Sequence, residues 1–327
     1  MKPDRNIIEL YKMTEEKELS LWNEAIFVFD TSALLALYLV PQSNRTMIFN
    51  EIFEKISSRL WLPFHVQYEF LKNRETKIKE PLNRFAPIKD DIKYLQDTIS
   101  NKIATKITSM MDMTKNDEFY PHIEESEFSD FNEIINDFND KFNLFEKKIR
   151  VQIENAEGQI IDLQQNDDVL DSVEKYFHVG REFLFDEIMK ITKEGRFRYD
   201  YKIPPGYGAY YSSDPKEGIQ VFGDLIIWKQ ILELANEIQL PIIFITNDIT
   251  KKDWCHSEGK NRIDTPREEL IKEMKDLSGM DFWMYSFTQF IYGASAFLKA
   301  SVDVNLIQNV STYLSDTYVH STEHESV

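Results

Sequence analysis

Apolar and polar positions follow two regimes along this chain. Short solid apolar runs rich in β-branched and aromatic residues occur at 25–29, 60–62, 240–245 and 281–285, and read as buried strands. Between them apolar residues recur every three or four positions, predicting helices over 7–23, 44–59, 63–79, 180–195, 221–234, 266–280 and 286–300. Strands separated by helices predict an α/β fold built on a doubly wound parallel sheet. The pattern changes in the middle. Ile88, Ile92, Leu95, Ile99, Ile103, Ile107 and Met110 form one long stripe, and Phe131, Ile134, Ile135, Phe138, Phe142, Phe145, Ile149 and Ile153 form another. Two long helices joined by a polar loop predict an inserted α-helical hairpin. The expected organisation is a discontinuous sheet domain over 1–84 and 176–310, a hairpin over 85–175, and a polar tail over 311–327.

Composition narrows the class. The 327 residues are 42% hydrophobic, enough for a substantial core. No apolar run approaches the roughly 20 residues needed to cross a bilayer, and residues 1–5 lack a signal-peptide core, so a cytoplasmic protein without membrane contact is expected. The single Cys255 excludes an internal disulfide framework and a cysteine-based zinc site, and reads as structural. The formal net charge is −18, and the segment 85–200 alone carries 26 acids against 15 bases. Such a chain cannot hold nucleic acid through a general field; it would need metal ions and a few local bases.

Four acids stand out. Asp30 and Asp248 end apolar runs, Asp224 opens a helix, and Glu69 lies beside the apolar stripe of another. Each has a bland reading: Asp30 and Asp248 as caps, Asp224 as a first-turn acid, and Glu69 as one of several acids near its helix. Gathered at one crevice, the four would raise one another's pKa values, an arrangement that makes sense around a divalent cation. Oxygen ligands select Mg²⁺ or Mn²⁺, and such ions activate water for phosphodiester hydrolysis. Ser32 and Asn247 can orient water or phosphate, and Asp253 is either part of that surround or an ordinary loop acid. His65 reads as packing or surface.

These segments resemble the PIN-domain pattern of metal-dependent nucleases: Phe-Val-Phe-Asp30-Thr-Ser, Tyr-Glu69-Phe, Gly-Asp224-Leu-Ile-Ile-Trp and Ile-Thr-Asn-Asp248. The chain is most similar to the bacterial PIN-like subgroup with a long helical insertion. There an Arg-rich stretch leads into Lys-Ile-Pro-Pro-Gly-Tyr, as 196–207 does here, and Asp253-Trp254 and Pro266-Arg267-Glu-Glu-Leu270 have counterparts. The resemblance implies a PIN fold, Asp30, Glu69, Asp224 and Asp248 as catalytic metal ligands, and single-stranded RNA as substrate in a defence or toxin-like setting. One departure is that Gly208-Ala-Tyr-Tyr-Ser-Ser separates Pro-Pro-Gly-Tyr from Asp214 and Lys216. The competing expectation is an inert nucleic-acid-binding or protein-interaction module. Substrate contacts are expected from Arg196, Arg198, Lys202 and Tyr207, with both arginines on one side of an extended segment; the alternative is that the arginines pair with acids of the insertion. The hairpin is expected to offer a surface for a protein partner or for self-association.

Overall fold

The computed structural model describes residues 7–116, 125–211, 216–249, 253–257, 262–300 and 310. Asp214 and the tail 311–327 lie outside the described residues. The chain folds as two units, 1–74 with 168–327, and 75–167.

The first unit carries a five-stranded sheet: β1 (Ile26–Phe29), β2 (Leu60–Leu62), β3 (His178–Val179), β4 (Ile242–Ile245) and β7 (Phe282–Tyr285), in the order β3-β2-β1-β4-β7. All four pairings are parallel, with Phe27 beside Leu60 and Ile243, and Ile243 beside Trp283. A parallel sheet needs cover on both faces, which is why β1, β4 and β7 are nearly continuous apolar runs. On one face Trp22 packs against Phe27 and Phe290 at ring separations of 5.1 and 5.9 Å, and Phe29 meets Phe53 and Phe177 at 5.6 and 5.2 Å. On the other, Trp228 meets Phe282 at 5.0 Å and Trp254 meets Phe244 at 4.9 Å. A methyl group at Gly293 would lie 2.1 Å from the Trp22 ring, so the helix Phe287–Phe297 approaches that indole only because it has none there. A separate antiparallel pair, β5 (Cys255–His256) and β6 (Thr265–Pro266), follows β4.

Successive strands run from β1 outward through β2 and β3, whereas β4 and β7 lie on β1's other side. The order therefore reverses between β1 and β4, at whose carboxyl ends Asp30 and Thr246–Asp248 leave the sheet. In open α/β sheets this is where a ligand crevice forms.

The second unit is the helical hairpin. Helices Leu82–Asp97 and Ala104–Asn116 are joined by a π-type turn at Thr98–Ile103, and the 41-residue helix Glu125–Gln165 packs along both. The Lys89–Glu157 ion pair at 2.7 Å joins the two arms of this antiparallel pair.

Three differences from the sequence pattern have physical causes. The units divide at Arg74/Glu75 and Asp167/Asp168, the second boundary falling before 175 because Asp168–Tyr176 is a separate helix burying Val169, Val173 and Tyr176 in the sheet unit. Arg45 secures it with a fork onto Asp168 at 2.8 and 3.1 Å. The expected 44–59 helix is interrupted by a π-type turn at Phe49–Phe53 and a 3₁₀ turn at Ser57–Arg59. The helix expected to stop at Gly195 spans Phe185–Asp200, so the arginine stretch is helical rather than extended.

Candidate active site

Asp30 caps the helix Thr31–Ala36, with φ −85° and ψ 160°. Its Oδ2 accepts three hydrogen bonds: from Ser32 N at 3.3 Å, Ser32 Oγ at 2.6 Å and Thr246 Oγ1 at 2.9 Å. The same hydroxyls tie β4 to β1, since Ser32 Oγ accepts from Asn247 N at 2.9 Å and Thr246 Oγ1 accepts from Asp248 N at 3.1 Å. Asn247 Oδ1 in turn accepts from Phe287 N at 3.1 Å, which brings in the end of β7. Ser32 and Asn247 thus position the strand ends and the Asp30 carboxylate. With its donors all on Oδ2, Asp30 leaves Oδ1 as its available acceptor.

Electrostatics gather the other acids. Burial pushes the Asp30 carboxyl above the usual carboxylate range, the Ser32 hydrogen bond opposes this, and the charges of Glu69 and Asp248 push it further up. Glu69 Oε2 accepts from Thr31 Oγ1 at 2.8 Å, while Oε1 lies 3.6 Å from His65 Nε2, one turn earlier on Phe64–Lys79. Burial holds the His65 imidazole below its ordinary value; Glu69 opposes that shift and Lys216 adds to it. A methyl at Gly223 would sit 3.2 Å from His65 Nε2 and 3.5 Å from Glu69 Oε1, so residue 224 follows directly beside that pair.

Asp224 is in the first turn of Gly223–Ile238. It faces Gly206, which has φ +90° and where a methyl would lie 2.8 Å from Asp224 Cβ and 2.6 Å from Tyr199 Oη. Burial, then Asp224, then Asp253 push the Tyr199 phenol up. Asp253 is fully buried and its Oδ2 accepts from Gly208 N at 2.8 Å, which pins the loop after Pro-Pro-Gly. Cys255 completes the circuit: burial, Asp248, Asp253 and Asp264 push its thiol up to about 12, so it is no nucleophile at neutral pH. Asp30 thus feels the charges of Glu69 and Asp248, Tyr199 those of Asp224 and Asp253, and Cys255 those of Asp248 and Asp253.

Among the described residues no three His, Cys, Asp or Glu side chains close on one point as a ready metal cage. The donor set nevertheless fits a hard divalent cation. Mg²⁺ keeps several waters and needs only one or two carboxylates, and Asp30 presents one held in place by three donors.

The basic residues divide differently. Arg198 is buried: it pairs with Glu194 at 2.7 Å and with Glu273, and its Nη1 donates to Pro204 O at 2.8 Å. It is a structural clamp and is not available to a substrate. Successive helical residues turn by about 100°, so Arg196 and Arg198 point to different sides, and Arg196 is exposed. Lys202 is exposed, with its Nζ 5.4 Å from the Tyr211 ring centre, and Tyr207 opens the short helix Tyr207–Tyr210. Sequence reasoning did not single out Thr31, Tyr199 or Thr246, and it read His65 only as packing or surface. Thr31 and Thr246 carried a local signal, each lying within a motif that holds Asp30 or Asp248.

Residues 26–270 match the family described as PIN like domain. The chain belongs to the PIN-like domain family. Such domains are generally of nuclease type, bind nucleic acid and use divalent metals. No curated protein and no solved structure matches the chain. Among the described residues no helix is long and apolar enough to cross a membrane.

Proposed function

We propose that this chain is a metal-dependent nuclease that hydrolyses phosphodiester bonds in single-stranded RNA. The observation that carries this reading is Asp30: a carboxylate at the sheet's switch point, fixed by three donors to one oxygen and repelled by Glu69 and Asp248. Mg²⁺ or Mn²⁺ there would relieve the repulsion. When bound, such an ion lowers the pKa of its water and stabilises the leaving oxygen. Asp30, Glu69, Asp224 and Asp248 are the ligands in this reading. Ser32 and Thr246 hold Asp30 in position, Asn247 fixes the strand ends, and Asp253 holds the loop carrying Tyr207. Arg196, Lys202 and Tyr207 are the substrate contacts, with Arg198 removed from that set. The cytoplasm is the setting this reading favours.

The lack of a ready three-acid cage among the described residues favours a second reading, an inert module that binds nucleic acid without cutting it. Labelled single-stranded RNA and DNA incubated with Mn²⁺ or Mg²⁺ separate the two. The nuclease reading expects RNA fragments from the wild type and none from Asp30→Asn. Intact RNA retarded in a gel with no fragments would support the inert module.

A further inference from the structure

The hairpin carries an apolar face that its own two helices leave uncovered. The seam is formed by residues such as Ile92, Ile99, Phe142, Ile149 and Ile153. Beside it stand Ile103 and Met110 on the first arm, and Ile134, Phe138 and Phe145 on Glu125–Gln165, each between 36% and 61% exposed. At about 100° per residue, Ile134, Phe138 and Phe145 fall within one narrow stripe flanking the seam. The first arm repeats the arrangement: Leu95, Ile103 and Met110 would drift out of line across an eight-residue gap, but the π-type turn at Thr98–Ile103 absorbs the extra residue. The two flanks lie on the same side of the hairpin.

We propose that this face is closed by a second copy of the same chain, in an antiparallel two-fold contact centred near position 139 of the Glu125–Gln165 helix. A two-fold contact must be self-complementary, and the spacing along this helix is. Asp130 lies nine residues before position 139 and Lys148 nine after; Asp137 and Lys141 lie two before and two after; Ile134 and Phe145 lie five before and six after. The four charged residues fall within a narrow arc that borders the apolar stripe on its outer side. In the dimer Asp130 faces the other copy's Lys148, Asp137 faces Lys141, and Ile134 packs on Phe145. The Lys141–Asp137 pair, 2.8 Å within one chain and well exposed, then becomes a four-charge cluster. The first arm shares the centre. The Lys89–Glu157 pair sets position 139 beside about position 107, with Ile103 and Met110 nearly symmetric about it. The five apolar side chains present on the order of 500 Å² per copy, so two copies reach about the 1,000 Å² that a specific interface must clear. The product is an antiparallel four-helix bundle, independent of the nuclease reading.

The test is sedimentation of the full chain, 38.7 kDa as a monomer. The wild type is expected to run as a dimer at micromolar concentration. Phe138→Asp/Phe145→Asp is expected to run as a monomer with unchanged helical circular dichroism. Asp130→Lys/Asp137→Lys should weaken the dimer about tenfold, and adding Lys141→Asp/Lys148→Asp should restore it, a rescue that loss of folding cannot mimic. A Phe138→Cys variant should crosslink to its own copy on oxidation. A wild type that stays monomeric at roughly 100 µM, or a dimer untouched by Phe138→Asp/Phe145→Asp, would overturn the proposal.

Discussion

Replacing Arg198 with alanine separates structure from substrate binding at the arginine stretch. The guanidinium joins Glu194, Glu273 and Pro204 O, and its side chain is only 11% exposed. Removing one partner of a fully buried pair costs about 3–5 kcal/mol, because the other charge is left stranded. Here Glu273 would keep Lys229 Nζ at 3.1 Å and Trp228 Nε1 at 2.8 Å, and Glu194 is partly solvated and also paired with Lys229. The stranded-charge penalty is therefore reduced, leaving the Pro204 carbonyl and the lost packing, for a total of about 2 kcal/mol. Urea unfolding monitored by tryptophan fluorescence measures it, with Arg196→Ala as the exposed control at under about 0.5 kcal/mol. An Arg198→Ala protein of unchanged stability but weakened RNA binding would refute the clamp assignment.

Other outcomes follow from the same geometry. Asp30→Asn should raise metal-free stability at neutral pH. The Asp30 carboxyl is held above its unfolded value, so it costs stability as pH rises through the folded pKa, and asparagine removes that cost; equal melting temperatures at pH 7.5 in chelator would count against it. Glu273 runs the opposite way: although burial pushes its carboxyl up, Arg198, Lys229 and Trp228 together hold it below the ordinary value. Its contribution is present above the unfolded carboxylate pKa and fades as pH falls through the folded one, so the stability gap between wild type and Glu273→Gln should narrow on acidification. Gly293→Ala should cost about 1–3 kcal/mol, since its methyl would meet Trp22 at 2.1 Å, and a smaller loss by thermal melting would mean the helix shifts freely.

What the sequence disclosed depended on how local each signal was. β1 and β4 are solid apolar runs, so the acids ending them could be placed at the sheet edge from the residue pattern alone. The two hairpin stripes were long enough to declare themselves. β3 has two residues, both exposed, and leaves no pattern to read. Gly195 misled for a physical reason. It marks close packing rather than a helix end, because a methyl there would lie 2.4 Å from Phe222. With the helix stopped too early, Arg198 was expected in an extended segment, and Tyr199 went unnoticed. His65 read only as packing or surface because its neighbours come from a fold contact between Phe64–Lys79 and Gly223–Ile238, not from ligand spacing.

The central claim is that the acids at the sheet's switch point, and not the acidic surface at large, take up a divalent cation. Calorimetric titration of Mn²⁺ into the 327-residue chain measures this against Asp30→Asn/Asp224→Asn, a change that takes the formal charge from −18 to −16. The expected result is a saturable wild-type site that raises the melting temperature by mass action, and its near-complete loss in the double variant. Equal binding and equal thermal shift in both proteins would place the ions on the surface and contradict the assignment.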